Sequence, residues 1–518
     1  MNPLGNRLTF TWLTFLAGGT FFVLMVPLGE GFDEPWHFAY VQHVAQFGKP
    51  PLGHSTHISE EIATFLRVHP VSWGLHRNFP TLLSHDEYWR DQRNRDELDP
   101  VLANLRFSGE YAESQTEASG QYESHQPPLY YFASAPVFAA ASYLFSFVDT
   151  FLAARMFSVF LASLIVPGSF LLAKVVLKDS AAAGNVAALV VLFPGLYPGV
   201  VRVSNDALAV PLACWTLVLL ALFLEKHQPV HLYGLSALLI AGLWTKAFFI
   251  PILAGVIVSL LYYVQVRAAI TVLLISLAGA PWYVNNFNHT GSITGLPETI
   301  SIKSSAFSSV EALWGLDWNN LLNVVRFSHI WVGNWSFLSV RSWMYRVVFW
   351  LFVLGVMGLI RGRIRSVSGA LSLIICYAVF IAGLIYYATQ VFQETGTSVA
   401  EGWYLTSFIP AEAVLFSAGL QSFLGARWRW VGIAAQVLLL ALLIYSSAFI
   451  AMPYYSGITA HKADGHLATY HPQLSDFGLM SARLLRFHPF VPVTLPWLLL
   501  SVFPAFAVYS INNLLNKR

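Results

Sequence analysis

Apolar runs of about 20 residues recur along the whole chain, and this feature most limits what the chain can fold into. A helix of about 20 apolar residues crosses the hydrocarbon core of a bilayer. Of the 518 residues, 56% are hydrophobic and only 11% are charged, so one water-soluble core cannot hide the apolar surface. The sequence therefore predicts an all-α polytopic membrane protein.

The apolar runs predict about twelve membrane-spanning helices. The first lies in residues 1–28, and no small-residue cleavage site follows it, so we interpret it as a retained span rather than a signal peptide. Spans 2–7 are expected within residues 151–287, and spans 8–12 within residues 342–518. Their approximate positions are 151–173, 182–202, 207–224, 231–246, 248–264, 269–287, 342–360, 367–388, 403–425, 430–452 and 490–512.

The distribution of charge orients this arrangement with its N-terminus in the cytoplasm. Basic residues then outnumber acidic ones in the cytoplasmic links and tails, as the positive-inside rule requires. These basic residues are Arg7, Lys174, Lys178, Lys226, Arg267, Arg361, Arg363, Arg365, Arg427, Arg429, Lys517 and Arg518. Residues 127–147 are apolar enough for a thirteenth crossing, but that crossing would put the cluster at residues 361–365 outside. We therefore expect residues 127–147 to lie along, or shallowly in, the outer interface.

The segments that join the spans on the outer side predict a large outer face. It comprises residues 29–150, 288–341 and 453–489, together with a short turn at Ser204-Asn205-Asp206. Residues 29–126 contain 15 of the 27 acidic residues and 8 of the 16 histidines. We therefore expect a water-exposed region of juxtamembrane helices there.

Composition and motifs disfavour several classes of function. The formal net charge is only +2 and no basic stripe accompanies it, which argues against a nucleic-acid partner. The sequence has no glycine-rich phosphate loop, so a nucleotide-driven reaction loses support. Cys214 and Cys376 both lie in apolar runs, and the outer loops therefore form no disulfide.

An acidic motif, Phe32-Asp33-Glu34-Pro35-Trp36-His37, follows the first span directly. Asp33 can cap a helix that runs from about residue 34 to residue 47 and ends at Gly48. The carboxylates of Asp33 and Glu34 and the imidazole of His37 then lie within one turn and point toward a common spot. They could hold a divalent cation or supply a general base, and helix capping alone is the alternative.

Four more polar residues are predicted at the outer face. His125 stands just before the chain re-enters apolar sequence, and Asp206 lies in a very short turn between two spans. Lys246 occupies an outer junction where positive charge runs against the inside bias, so it could meet a lipid phosphate. Arg202 precedes Asp206 by four residues. The alternatives are a solvated histidine, a helix cap, a snorkelling lysine and an i,i+4 ion pair.

These motifs together resemble a known superfamily. The acidic pair after the first span, His125-Gln126-Pro127-Pro128-Leu129-Tyr130 at the end of the first outer segment, and Asp206 in the next outer turn resemble the integral-membrane GT-C glycosyltransferases. This superfamily includes the protein O-mannosyltransferases and the lipid A aminoarabinose transferases. Pro281-Trp282-Tyr283-Val284-Asn285-Asn286, followed by Gly291 to Gly295, is also similar to a stretch in bacterial members.

The chain departs from the family pattern at two positions. Gly402-Trp403-Tyr404 stands where many relatives have Gly-Arg-Tyr, and Asn285 stands where they also have arginine. If that arginine grips the donor phosphate in relatives, this chain must use other basic residues or bind a different donor. The candidates are Lys246, Arg202, Arg341 and Arg346.

The resemblance implies an all-α GT-C-like bundle that transfers a sugar from a polyprenyl-phosphate carrier. The acceptor would be a glycan, lipid or protein, and the site would face the periplasm from a bacterial inner membrane. A lipid phosphate is already a good leaving group. The enzyme therefore mainly needs a base for the acceptor and positive charge for the departing phosphate.

The resemblance also implies a role for each candidate residue. The catalytic set would be Asp33, Glu34 and Asp206, with Asp33 as general base and Asp206 as a second carboxylate. Glu34 and His37 would orient Asp33, or would join it as ligands of an optional Mg²⁺ or Mn²⁺. The residues expected to bind substrate are His37, His125, Lys246, Arg202 and Tyr130.

Two alternative functions are a polytopic lipid or glycan transporter and a surface-polysaccharide polymerase or ligase. A transporter is expected to show ionisable residues in mid-span and broken helices at matched positions of two repeats, and neither pattern is clear here. A polymerase or ligase is expected to centre on a large, arginine-rich late loop. Several aromatic residues could stack on sugars or form the interfacial aromatic belt: Trp282, Tyr283, Trp331, Trp335 and Trp403.

Overall fold

The computed structural model describes residues 3–53, 56–111, 120–296, 306–361 and 368–515. In these ranges the chain forms helices and a few isolated β-bridges, and no strand. The predicted all-α class is confirmed. Part of the predicted orientation depends on four basic residues that lie outside the described residues: Arg363, Arg365, Lys517 and Arg518.

The first span and the first outer segment contain seven α-helices. The first helix ends two residues before Pro27. The second has a proline in its first turn and ends at Gly48, whose φ is 65°. The seven are α1 (Pro3–Met25), α2 (Glu34–Phe47), α3 (Glu60–Val68), α4 (Trp73–Asn78), α5 (His85–Arg90), α6 (Gln92–Asn104) and α7 (Leu129–Leu144).

The middle of the chain forms nine further helices, most of them apolar on all sides. They are α8 (Phe147–Ala162), α9 (Ile165–Leu177), α10 (Ser180–Leu192), α11 (Leu196–Val200), α12 (Asp206–Lys226), α13 (Pro229–Leu243), α14 (Phe249–Tyr262), α15 (Val266–Ser276) and α16 (Pro281–Thr290). The axes of α15 and α16 differ by 54° at a short break that ends with Pro281.

Nine described helices complete the chain. They are α17 (Ala306–Gly315), α18 (Trp318–Ile330), α19 (Ser342–Arg361), α20 (Ser368–Thr395), α21 (Ile409–Leu424), α22 (Trp428–Ile444), α23 (Met452–Tyr455), α24 (Leu474–Leu484) and α25 (Leu495–Leu515). A 3₁₀ segment, Gly402–Phe408, leads into α21, and a π-helical segment, Tyr445–Ala451, joins α22 to α23.

These helices make the chain an integral membrane protein. Seven helical stretches among the described residues are long and apolar enough to cross a membrane, or eight if the bent pair α15–α16 is one span. Four shorter apolar helices, α7, α10, α13 and α14, accompany them. The expected number of twelve spans, and the placement of residues 127–147 at the outer interface, therefore stay predictions.

Two buried cores position the outer segment on the spans. The larger core lies among the spanning helices, while the smaller one lies between α2, α7 and α8 and includes Phe38, Tyr131, Phe147 and Phe151. The ring of Phe38 stacks on that of Phe151 with centroids 4.3 Å apart. Helix α2, which starts at the acidic motif, is thus held firmly against the membrane-embedded part of the protein.

Candidate functional site

Asp33 lies at the junction between the first span and α2, in a strained backbone conformation. Its φ is 55°, in the left-handed region that a non-glycine residue adopts at a cost of about 1–3 kcal/mol. Although it occupies the N-cap position of α2, its side chain makes no capping hydrogen bond in the described structure. The side chain is half-buried. Side-chain capping of α2 therefore does not account for Asp33.

Glu123 is a second acidic residue of the site, and the sequence analysis missed it. It lies in a short 3₁₀ helix, Tyr122–His125, and is buried. Burial, followed by the negative charge of Asp33, raises the pKa of Glu123 well above its usual range. Its Oε1 lies 3.8 Å from His37 Nε2 and its Oε2 lies 4.0 Å from His125 Nε2. The sequence feature that could have identified Glu123 is its position two residues before His125.

His37 is buried and neutral at the centre of this group. Its Nδ1 is 2.8 Å from the hydroxyl of Tyr131. Burial, followed by the positive charges of Arg202 and Lys246, holds the pKa of His37 well below its usual range. The ring therefore stays uncharged near neutral pH. It can exchange a hydrogen bond with Tyr131, and Glu123 Oε1 lies 3.8 Å from its Nε2.

Tyr130, predicted to bind substrate, lies elsewhere in the structure. Its side chain is buried, and its hydroxyl bonds to Ser158 Oγ at 2.7 Å. Tyr131 reaches His37 instead, because successive residues of a helix point about 100° apart. The tyrosine that joins the site is therefore Tyr131, the residue that follows the motif.

Asp206 brings two cations together at the other end of the site. Arg202 Nη2 donates to Asp206 Oδ2 at 2.9 Å, and Lys246 Nζ donates to Asp206 Oδ1 at 2.5 Å. Two cations around one carboxylate leave an excess of positive charge. Arg202 Nε and Nη1 are buried and have no hydrogen-bond partner within the described part of the chain. These N–H groups could bind an anionic ligand.

Asn205 links the histidine motif to this charged group. Its Nδ2 donates to Gln126 Oε1 at 2.9 Å and to the carbonyl of Thr245 at 3.1 Å. The short turn that contains Asp206 is thus tied to the residue after His125 and to the residue before Lys246. The sequence analysis placed these three segments on one face of the membrane, and the structure brings them into contact.

The proline-aromatic motif at the start of α16 buttresses His125. Trp282 Nε1 and Asn286 Nδ2 donate to the carbonyl of His125 at 2.9 and 3.0 Å. Gly295, with φ 66°, approaches the same residue so closely that a Cβ there would lie 3.1 Å from His125 Cβ. These residues fix the backbone that carries Glu123 and His125.

Glu34 is turned away from Asp33. It is fully buried and accepts two hydrogen bonds from Arg155 of α8, at 2.7 and 2.5 Å. It also accepts from the backbone N–H of Val203 at 2.9 Å. Arg155 in turn donates to the carbonyls of Val26 and Pro27 at 2.6 and 2.7 Å. In this geometry the Glu34 carboxylate joins the end of α1 to α2 and α8.

The predicted metal ligands Asp33, Glu34 and His37 do not converge in the structure. The Glu34 carboxylate is occupied by Arg155, and His37 Nδ1 by Tyr131. Within the described ranges, no group of three or more His, Cys, Asp or Glu residues is arranged to hold a metal ion. We therefore derive no step through Mg²⁺ or Mn²⁺.

Comparisons with known proteins return no matching protein family and no matching curated protein. Among solved structures, the chain is similar to the crystal structure of ArnT from Cupriavidus metallidurans bound to undecaprenyl phosphate. The TM-score is 0.49 and the identity 11%, over 99% of this chain and 76% of that chain. It is also similar to apo ArnT from the same organism, with a TM-score of 0.40 and 13% identity over 92% and 74% of the two chains.

Proposed function

We propose that the chain is a membrane glycosyltransferase that moves a sugar from a polyprenyl-phosphate carrier to an acceptor. The observation that carries the proposal is that the Arg202–Asp206–Lys246 group lies beside the acidic motif. The guanidinium carbon of Arg202 is 5.3 Å from the ring centroid of Phe32, the residue before Asp33. The charges of Arg202 and Lys246 act on the same two buried groups, His37 and Glu123, and the charge of Asp33 also acts on Glu123. One small site therefore contains both a carboxylate and an excess of positive charge.

Asp33 would act as the general base. Its carboxylate accepts the proton of the acceptor hydroxyl while the acceptor oxygen attacks the anomeric carbon of the donor sugar. The bond between that carbon and the phosphate oxygen breaks, and its electron pair leaves with the lipid phosphate. A positioned base of this kind contributes about 10²–10⁴ in rate.

Arg202 and Lys246 would bind the phosphate before and after it leaves. Arg202 offers its Nε and Nη1 groups, while Lys246 supplies a compact charge beside them. Asp206 holds both cations in place without neutralising them fully. Positive charge that is already in position stabilises the negative charge that develops on the leaving oxygen.

Glu123 would keep the site's charge balanced. Two carboxyl groups close together do not both ionise readily, and the more deeply buried one retains its proton. The raised pKa of Glu123 favours its protonated form, which limits the negative charge of the site. His125, held by α16, lines the same part of the site.

The proposed location of the site is the periplasmic side of a bacterial inner membrane, and the acceptor is a glycan, lipid or protein. The distribution of basic residues in the sequence supports this orientation. A polyprenyl tail can lie in the bilayer while its phosphate reaches the outer end of α12, where Asp206 begins the helix.

A donor panel tests the proposal. The purified protein is incubated with a set of polyprenyl-phosphate sugars and candidate acceptors, and free polyprenyl phosphate is measured by mass spectrometry. The proposal expects release from at least one donor, and a much slower release by the Asp33→Asn variant. A transporter would carry donor across vesicles and leave every sugar–phosphate bond intact, which would contradict the proposal.

A further inference from the structure

Four aromatic rings form a cluster beside Asp33, which we call the aromatic rim: Phe32, Trp335, Phe337 and Trp403. Phe32 immediately precedes Asp33, and its ring stacks on that of Trp403 with centroids 4.0 Å apart. The rings of Trp335 and Phe337 lie 5.4 and 5.8 Å from that of Phe32. The aromatic rim therefore adjoins the proposed base directly.

The outer part of the aromatic rim is open. Trp335 is 38% exposed and Phe337 is 55% exposed, whereas Phe32 beneath them is buried. Their rings stand 77° apart, with centroids separated by 5.9 Å. The indole ring of Trp335 and the phenyl ring of Phe337 thus stand nearly perpendicular to each other, and we call this pair the Trp335–Phe337 corner. Both partly exposed rings are accessible to a ligand.

The structure also shows which of the five aromatic residues that the sequence offers for stacking on a sugar lie near Asp33. Trp282 and Tyr283 are buried, and their polar atoms bond to the carbonyls of His125 and Leu243. Trp331 is 2% exposed. Of the five candidates for stacking on a sugar, only Trp335 and Trp403 belong to the cluster at Asp33.

The turn that carries Trp335 and Phe337 is strained and tightly held. Asn334 and Phe337 have φ values of 49° and 48°, in the left-handed region, where each such residue costs about 1–3 kcal/mol. The backbone N–H groups of Trp335 and Ser336 donate to the carbonyl and carboxylate of Glu30, at 3.1 and 2.6 Å. Strain of this kind persists where the surroundings impose it, which is common at binding sites.

Glu30 is itself fixed from two further directions. His85 Nε2 lies 2.9 Å from its Oε2, and the hydroxyl of Tyr455 donates to its Oε1 at 3.2 Å. All three side chains are buried. An aromatic residue that only anchors a protein at the membrane interface needs no such support. The arrangement instead sets the position of Trp335 relative to Asp33.

The same hydrogen bonds argue against an extended peptide as the ligand. Every backbone N–H from Gly333 to Phe337 already donates to an acceptor within the protein. A peptide that added a strand to this turn would find no free donors along it. The side chains, not the backbone, are what the turn offers to a ligand.

Building on the proposed function, we propose that the Trp335–Phe337 corner binds the acceptor and that this acceptor is a carbohydrate. The C–H groups on one face of a pyranose ring pack against the electron-rich face of an aromatic ring, and the indole N–H of Trp335 can donate to a hydroxyl. A sugar in the corner lies next to Phe32, the residue before Asp33. The phosphate-binding cations stay free for the donor.

Binding of plain sugars tests this inference without any donor. Saturation-transfer NMR measures the contact of methyl hexopyranosides and short hexose oligomers with the purified wild-type protein. The Trp335→Ala and Phe337→Ala variants should bind these sugars about 10-fold more weakly, as expected for one lost aromatic contact. Trp335→Phe should restore part of the loss. Trp314→Ala is the matched control, because Trp314 is 82% exposed and outside the aromatic rim.

Three results would overturn the inference. The first is unchanged sugar binding in both Trp335→Ala and Phe337→Ala, with unchanged thermal unfolding to show that each variant is folded. The second is binding of a serine-containing peptide or a lysophospholipid, but of no sugar, that depends on Trp335. The third is an equal loss in Trp314→Ala. Failure of the proposed transferase would appear separately, as absence of polyprenyl phosphate release by the wild-type protein.

Discussion

At the scale of single residues, Arg202 and Lys246 share the carboxylate of Asp206 but differ in what they leave available. Lys246 directs its charge at one oxygen of Asp206, at 2.5 Å. Arg202 uses one nitrogen for Asp206 and keeps two buried nitrogens unpartnered among the described residues. An i,i+4 ion pair, the alternative for Arg202, is present, yet it accounts for only part of the guanidinium.

Replacing either cation with methionine should weaken donor use. Lys246→Met and Arg202→Met each keep most of the side-chain bulk and remove a charged hydrogen bond, which is worth about 1.5–3 kcal/mol. That range corresponds to a loss of about 10- to 160-fold in kcat/KM for the donor. Transfer measured against donor concentration checks this. Arg346→Met is the control, and a loss in that variant alone would move the phosphate site to α19.

At the scale of elements, local patterns predicted α2 well but not its partners. Proline near the start and Gly48 at the end define α2 as Glu34–Phe47, as expected from sequence. The partner of Glu34 is Arg155, 121 residues later in the chain. Hydropathy cannot predict such a pair, because it sums properties along the chain. The acidic composition of residues 29–126 likewise predicts that Glu123 is exposed, but Glu123 is buried in the folded protein.

The Glu34–Arg155 pair should matter for stability more than for chemistry. Removing one partner leaves the other charge buried and unpaired, at a cost of about 3–5 kcal/mol. We therefore expect Glu34→Gln and Arg155→Met each to lower the thermal unfolding temperature in detergent. The double variant should recover part of the loss. A Glu34→Gln protein that unfolds normally but has lost transfer would instead indicate a catalytic role for Glu34.

A second ion pair joins α18 to α21 and should make stability depend on pH. His329 Nε2 is 2.9 Å from Glu412 Oε2, and Ser328 Oγ, one residue earlier, accepts from the backbone N–H of Gly402 at 2.6 Å. Burial alone would lower the pKa of His329, but the charge and hydrogen bond of Glu412 raise it overall. A raised histidine pKa means that the unfolded chain releases its proton first as pH rises.

The stabilisation by protonated His329 is therefore complete below about pH 6.5 and is lost as pH rises through the raised pKa. Thermal unfolding measured in steps across this range should show the decline in the wild-type protein. His329→Gln should remove this component of the pH dependence. An equal decline in the wild-type protein and in His329→Gln would contradict the assignment.

At the scale of the whole molecule, the sequence predicts which segments lie at the same face of the membrane, and the structure shows the contacts between them. The apolar runs predict His125, Asp206 and Lys246 at outer ends of helices, and in the structure Asn205 links their three segments through Gln126 and Thr245. The choice of Tyr131 over Tyr130 depends on how α7 is rotated against α2. Packing between helices sets that rotation, and no sequence pattern reports it.

The central claim is that Asp33 is the base of a sugar-transfer reaction, and turnover of Asp33→Asn tests it most directly. Asparagine keeps the shape of the side chain but cannot accept the acceptor's proton. Turnover with the active polyprenyl-phosphate donor should fall by about 10² or more, while expression and thermal unfolding stay near those of the wild-type protein. Glu60→Gln, at a residue 44% exposed in the same outer segment, should transfer normally. Near-normal transfer by a well-expressed Asp33→Asn protein would contradict the account.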